Sequence, residues 1–130
     1  MNGDIPYKIL IVDDDKFLLN MYSLKFQKEN FAVTTASDGA EAITKLEGGF
    51  VPDAIVLDIV MPVMDGLEVL EKMRQENLAK EARVLILSNQ GQSSDIDKAK
   101  RLGIDGYIVK ATTIPSEVVS EVLRMLKNKK

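Results

Sequence analysis

Three short apolar runs constrain this chain more than anything else in it: Ile9-Leu-Ile-Val12, Ala54-Ile-Val-Leu57 and Val84-Leu-Ile-Leu87. Each is too short for a helix and has no polar face. Such runs read as strands covered on both sides, which is the signature of a parallel sheet. Each also stops abruptly at a polar residue. The first ends at Asp13-Asp14-Asp15, the second at Asp58 and the third at Ser88. A fourth run, Tyr107-Ile-Val109, reads as the last core strand and ends at Lys110.

Helical patterns lie between the runs. After Asp15 the spacing of Phe17, Met21 and Leu24 predicts a helix to about Glu29, with Asn30 available to cap it. Phe31 to Ala36 is β-prone but partly polar, as expected of a half-exposed edge strand. Asp38 with Glu41, and Asp65 with Glu68, each place a carboxylate cap three residues before a Glu, and apolar stripes follow at Ala42, Ile43 and Leu46 and at Leu67, Leu70 and Met73. Gly48-Gly49 ends the first of these helices. A helix from about Ser93 to Gly103 has only Ile96, Ala99 and Leu102 to bury, so it is expected to be loosely held. Pro115 suits the first turn of a final helix with a wide stripe, Val118, Val119, Val122, Leu123 and Leu126. Most of that stripe is expected to face the core, with Val118 and Met125 at its margin as a possible dimer or partner contact. Five strand and helix pairs in strict alternation predict a parallel sheet with right-handed crossovers and helices on both faces.

With 130 residues, 45% hydrophobic and 28% charged, the chain reads as one ordinary globular domain, residues 1–130 with a core of about 8–126. It has no cysteine and no histidine, which excludes disulfides, thiol or Ser-His-Asp catalysis, His-ligated metals and any role as a phosphohistidine donor. A net charge of -3 without a basic stripe argues against direct nucleic-acid binding. The tail Lys127, Lys129 and Lys130 reads as a solvated terminus or the start of a linker. No apolar run approaches the ~20 residues of a membrane span, so the expected location is cytoplasmic, without membrane contact.

In a parallel sheet Asp13, Asp14, Asp58, Ser88 and Lys110 share the carboxyl edge, where ligands of open α/β sheets bind. Taken singly, an Asp there is a turn or cap residue, Ser88 a loop hydroxyl and Lys110 a solvated charge. Together they form a chemical set. Clustered carboxylates repel one another unless a hard cation such as Mg²⁺ compensates. An ammonium and a hydroxyl beside them suit the equatorial oxygens of a phosphoryl group, with one acid as nucleophile forming an acyl phosphate.

The motifs ILIVDDD, IVLDIVMPVMDG, VLILSN and GYIVK, in this order, resemble the response-regulator receiver domain from about Lys8 to Leu126. The resemblance implies a flavodoxin-like (βα)5 three-layer sandwich with sheet order 2-1-3-4-5. It implies that Asp58 accepts a phosphoryl group from a histidine kinase or a histidine phosphotransfer protein. Asp13, Asp14, Asp58 and the Val60 backbone carbonyl would hold Mg²⁺. Lys110 would pair with the phosphoryl group, Ser88 would hydrogen-bond it, and Tyr107 would be the aromatic switch, its alternative being a half-buried strand aromatic. The last two helices and last strand would then change their surface toward an unidentified downstream protein, with the chain a monomer or a phosphorylation-dependent dimer. Such a domain is a phosphoacceptor rather than a turnover enzyme, limited to self-phosphorylation and slow autodephosphorylation.

Two residues depart from the family pattern. Ala111 follows Lys110 where Pro is usual, leaving the peptide either cis and strained or trans and rearranged. Asn89 replaces a small residue after Ser88. Val60 and Gln90 hold the positions that in the family tune access of hydrolytic water, and an apolar Val60 predicts an aspartyl phosphate that is not unusually short-lived. One alternative is a haloacid-dehalogenase-like phosphatase, using the Asp-x-Asp within Asp13-Asp14-Asp15, but it leaves Asp58 unexplained and lacks an acidic pair after Lys110. The other is a receiver-like docking module independent of phosphate, against which the intact acid set argues.

Overall fold

The computed structural model describes residues 5–88 and 93–128. In chain order its elements are β1 (Lys8–Val12), α1 (Lys16–Lys28), β2 (Ala32–Ala36), α2 (Gly39–Glu47), β3 (Ala54–Asp58), α3 (Gly66–Glu76), β4 (Arg83–Ser88), α4 (Ser93–Leu102), β5 (Gly106–Val109) and α5 (Pro115–Lys127). A 3₁₀ turn, Lys110–Thr112, leads from β5 toward α5. All strand pairings are parallel and the sheet order is β2-β1-β3-β4-β5, the flavodoxin-like arrangement expected from the sequence. Among the described residues no helix is long and apolar enough to cross a membrane.

Strand side chains alternate between two faces with a period of two, and each face has its own core. Leu10, Val12, Ile55, Leu57, Val84 and Ile86 pack with residues of α2 and α3 and with Ala99 of α4. Ile9, Ile11, Ala54, Val56, Leu85 and Leu87 pack with α1 and α5. β1, β3 and β4 are buried along almost their whole length, as their apolar composition requires. β2 is the partly exposed edge that its mixed sequence predicts. β5 differs from expectation. It is the opposite edge strand, half-buried at every residue rather than part of the core.

The helix termini follow local chemistry. Asp38 accepts from the Glu41 amide, and Asp65 and Glu68 complete a reciprocal capping box. The helix stripes hold for α2 and α3, whereas in α1 the expected face is turned outward. Phe17 is 71% and Leu24 53% exposed, and the residues that reach the core are Leu19, Tyr22 and Phe26. The segment KFLLNMYSLKFQK has apolar residues nearly all round, so two stripes satisfy helical spacing and only the sheet chooses between them. In α5 the stripe is buried except for the half-buried Leu123, and it includes Val118 at 1% and Met125 at 4% exposure, so neither of these two is a surface contact. α4 is as thinly anchored as its sequence suggests, with Ala99 its one fully buried side chain among the described residues.

Candidate functional site

The alternation that builds the two cores also sorts the carboxyl edge. Asp13 continues the parity of Ile9 and Ile11, Asp58 that of Ala54 and Val56, and Lys110 that of Ile108, all on the face packed by α1 and α5. Ser88 and Tyr107 have the opposite parity, toward α4. Three ionic residues and two switch candidates are therefore separated by the pleat itself.

β5 and β1 lie three strand spacings apart, roughly 14 Å, so only a long side chain can join their ends. Lys110 does so. Its Nζ lies 2.8 Å from Asp13 Oδ2 and 3.5 Å from Asp58 Oδ1, with only 7% of the side chain exposed. Asp13 and Asp58 are buried at 0% and 2% exposure, and Ser88 at 5%. Asp14 is open to solvent. Lys110 thus lies beside Asp58, but its shorter contact is to Asp13. All peptide bonds among the described residues are trans, including the one between Lys110 and Ala111, and the chain continues from Lys110 as a 3₁₀ turn.

Burial raises the Asp58 carboxyl to a pKa of about 6, and Asp13 and Asp14 add to this against the pull of Lys110. Burial alone would lower the Lys110 ammonium, yet its contact with Asp13 and the charges of Asp58 and Asp13 hold it above its ordinary value. Tyr22 of α1, a residue not singled out from the sequence, borders the same cavity as Lys110. Burial raises its phenol, with Lys110 pulling the other way. Only the α1 face, which helical spacing left undecided, could have pointed to Tyr22.

The loop after β3 is held close to the site by Gly66, whose amide donates to Ile59 O at 2.8 Å. A Cβ there would come within 2.3 Å of the Asp58 carbonyl oxygen, so glycine is required by contact rather than by backbone angle. Val60 stands at the mouth, 62% exposed, two residues beyond Asp58. Ser88 ends β4 beside Val109 of β5. Tyr107 packs against the core on the α4 side, and its hydroxyl is buried with no hydrogen-bond partner among the described residues. Asn89 and Gln90 lie outside the described residues.

Asp13, Asp14 and Asp58 each offer a carboxylate oxygen, all within 4.8 Å of one another. Asp13 Oδ2 and Asp58 Oδ1 are buried without a directional hydrogen bond, the Lys110 contacts being ionic. An all-oxygen set of three clustered carboxylates, two buried and one solvent-facing, against a single ammonium fits a hard divalent cation. Asp15, by contrast, is used structurally: its Oδ1 accepts from the amides of Phe17 and Leu18 and caps α1. The Asp-x-Asp of the phosphatase alternative thereby loses its second acid.

Comparison with known proteins agrees with this geometry. The family model described as "Response regulator receiver domain" matches residues 9–122. The alkaline phosphatase synthesis transcriptional regulatory protein PhoP of Bacillus subtilis is 36% identical over 120 residues, which are 92% of this chain and 48% of that protein. This chain thus spans about half the length of that regulator. Chemotaxis protein CheY of Halobacterium salinarum is 31% identical over 118 residues, covering 89% of this chain and 96% of the relative. A CheY-like receiver domain structure from Methanospirillum hungatei has a TM-score of 0.88 at 25% identity, covering 96% of this chain and 97% of the other. With a sheet of this order, an acidic pocket suited to phosphorylation and a family match over most of its length, the chain belongs to the receiver domains of two-component response regulators.

Proposed function

We propose that Asp58 is the phosphoacceptor of this receiver and that residues from about 8 to 126 act as one switching unit. The observation that carries this reading is the Lys110 ammonium, held 3.5 Å from a buried Asp58 oxygen and anchored on Asp13. In the step proposed, a carboxylate oxygen of Asp58 attacks the phosphorus of a phosphohistidine on a histidine kinase or phosphotransfer protein. The O–P bond forms as the P–N bond breaks, and the imidazole leaves with the electron pair. Lys110 offsets charge on the phosphoryl oxygens, and its attachment to Asp13 keeps it in place beforehand. Asp13, Asp14 and Asp58, with the Val60 carbonyl, are the groups that would hold Mg²⁺. The cation supplies positive charge that lets three carboxylates and a phosphoryl group share one site.

Ser88 and Tyr107 form the output half. Ser88 would donate its hydroxyl to the phosphoryl group, and Tyr107, with its buried hydroxyl, would report that movement toward α4, β5 and α5. The reading places the chain in the cytoplasm as a signalling domain without catalytic turnover, serving a kinase on one side and a downstream protein on the other. With Val60 apolar and exposed at the mouth, its aspartyl phosphate is expected to outlast seconds.

The test is intact-mass measurement after incubation with a small acyl phosphate and Mg²⁺. Wild type should gain a single phosphoryl group and Asp58→Asn none. An unmodified wild type would overturn the proposal, and modification of the variant would move the site.

A further inference from the structure

α4 is held very unevenly. Its carboxyl end is tied to α3 by Arg74, whose Nε donates to Leu102 O at 2.8 Å and whose second guanidinium nitrogen donates to Gly103 O at 2.5 Å. These carbonyls lie at the end of the helix, where backbone acceptors lack intrahelical partners and the helix dipole favours a cation. The turn that follows is fixed as well. Gly103 adopts a φ of +94°, and its amide donates to Ala99 and Lys100 carbonyls at 3.0 and 3.1 Å. Asp105 then accepts from the Val84 amide at 2.8 Å and from Arg83 at 3.1 Å, while its own amide donates to Val84 O at 2.9 Å. The carboxyl end of α4 and the start of β5 are thus attached to α3 and β4 by a chain of directional bonds.

Among the described residues, the amino-terminal half of the helix is the more exposed one. Ser94, Asp97 and Lys98 are exposed, Asp95 and Ile96 half-buried, and the fully buried Ala99 lies in the carboxyl-terminal half beside the half-buried Leu102. That half is also the one joined through residues 89–92 to Ser88 at the site. A helix of ten residues, about 15 Å long, with one end bonded and the other lightly packed is a lever.

We propose that Arg74 is the pivot of α4: its two bonds to the last carbonyls of the helix fix that end, so a rearrangement at Ser88 turns the helix instead of displacing it. The assignment rests on the reading of Asp58 as the trigger. It adds a residue on the far side of the sheet that touches neither the phosphoacceptor nor its ligands. Because the fixed point includes Gly103 to Asp105, the pairing of Leu85 with Gly106 is preserved as α4 turns.

Amide hydrogen exchange along the full chain, in wild type, Arg74→Lys and Arg74→Ala, tests this before and after phosphorylation by a small acyl phosphate. Before phosphorylation, wild-type exchange should be slower in residues 99–103 than in 94–98. Arg74→Ala should speed exchange of 99–103 by about tenfold or more, the scale of losing charge-assisted bonds, and Arg74→Lys, which keeps one donor group, should lie between. Exchange of α1 and α5 should stay within about twofold in both variants, as expected for opening confined to one local unit. After phosphorylation, the wild-type change should be confined to 94–98, and in Arg74→Ala it should extend through 99–103. Exchange of 99–103 that is the same in Arg74→Ala and wild type would overturn the pivot, as would phosphorylated wild type changing equally in both halves. A wild type that takes no phosphate would sink the reading of Asp58, whereas the exchange gradient beforehand still decides the anchor.

Discussion

At the scale of single residues, the site is a compromise between charge and burial, and this has a measurable sign. Asp58 has an ordinary pKa of 3.8 and a folded value of about 6. A raised folded pKa means that the protonated group stabilises the fold below its unfolded value and that this contribution is lost as pH rises through the folded value. Metal-free Asp58→Asn should therefore exceed wild type in stability at about pH 7.5 by on the order of 2 kcal/mol. The gain should vanish near pH 4, as followed by urea unfolding in chelator, and a gain independent of pH would show that the charge is not responsible. Val63 carries strain of another kind. It is a β-branched residue at a φ of +68°, with its side chain fully exposed in the loop beyond Asp58. Left-handed backbone costs such a residue about 1–2 kcal/mol, part of which glycine's own flexibility would forfeit. Val63→Gly should raise stability by up to about 1 kcal/mol at an unchanged urea slope, and a loss would mean that the exposed side chain is in contact after all.

At the scale of elements, α1 separates what periodicity determines from what it leaves open. Phe17, Met21 and Leu24 recur with helical spacing, but so do Leu19, Tyr22 and Phe26, and the latter face the sheet. Phe26 is fully buried and meets Phe31 edge to face at 5.0 Å. Thermal melts should accordingly show Phe26→Ala costing about 3–5 kcal/mol and Leu24→Ser less than about 0.5 kcal/mol. Equal losses would restore the outer stripe as the core-facing one. In α2, α3 and α5 no such ambiguity arose, because polar residues occupy the outward face and leave a single apolar one.

At the scale of the whole molecule, the acidic edge couples stability to cation binding. A divalent ion that binds only the folded state at 100 times its dissociation constant adds about 2.7 kcal/mol. Wild type should melt at rising temperature as Mg²⁺ is titrated, and Asp13→Asn and Asp58→Asn should lose most of that dependence. A wild type whose melting point ignores Mg²⁺ would remove these carboxylates from the proposed cation site. The fold that assembles them was largely legible beforehand, because each buried strand announces itself by an uninterrupted apolar run and each run stops at the residue that matters.

What the sequence determined by itself is local: five strand and helix pairs, their caps, and a polar residue at the end of four strands. Hydrophobic periodicity and turn chemistry act within a few residues, so they are written into neighbouring letters. What only the tertiary structure decided is long-range. Lys110 makes its shorter contact with Asp13 although β3, which ends in Asp58, lies one strand nearer to β5; shared side-chain parity and the length of the lysine let it reach across. Its peptide to Ala111 is trans, α1 buries Tyr22 beside it, and Arg74 binds the end of α4 across 28 residues of sequence. Each of these depends on which elements become neighbours, and that is settled by packing two helical layers on a twisted sheet, not by any segment alone.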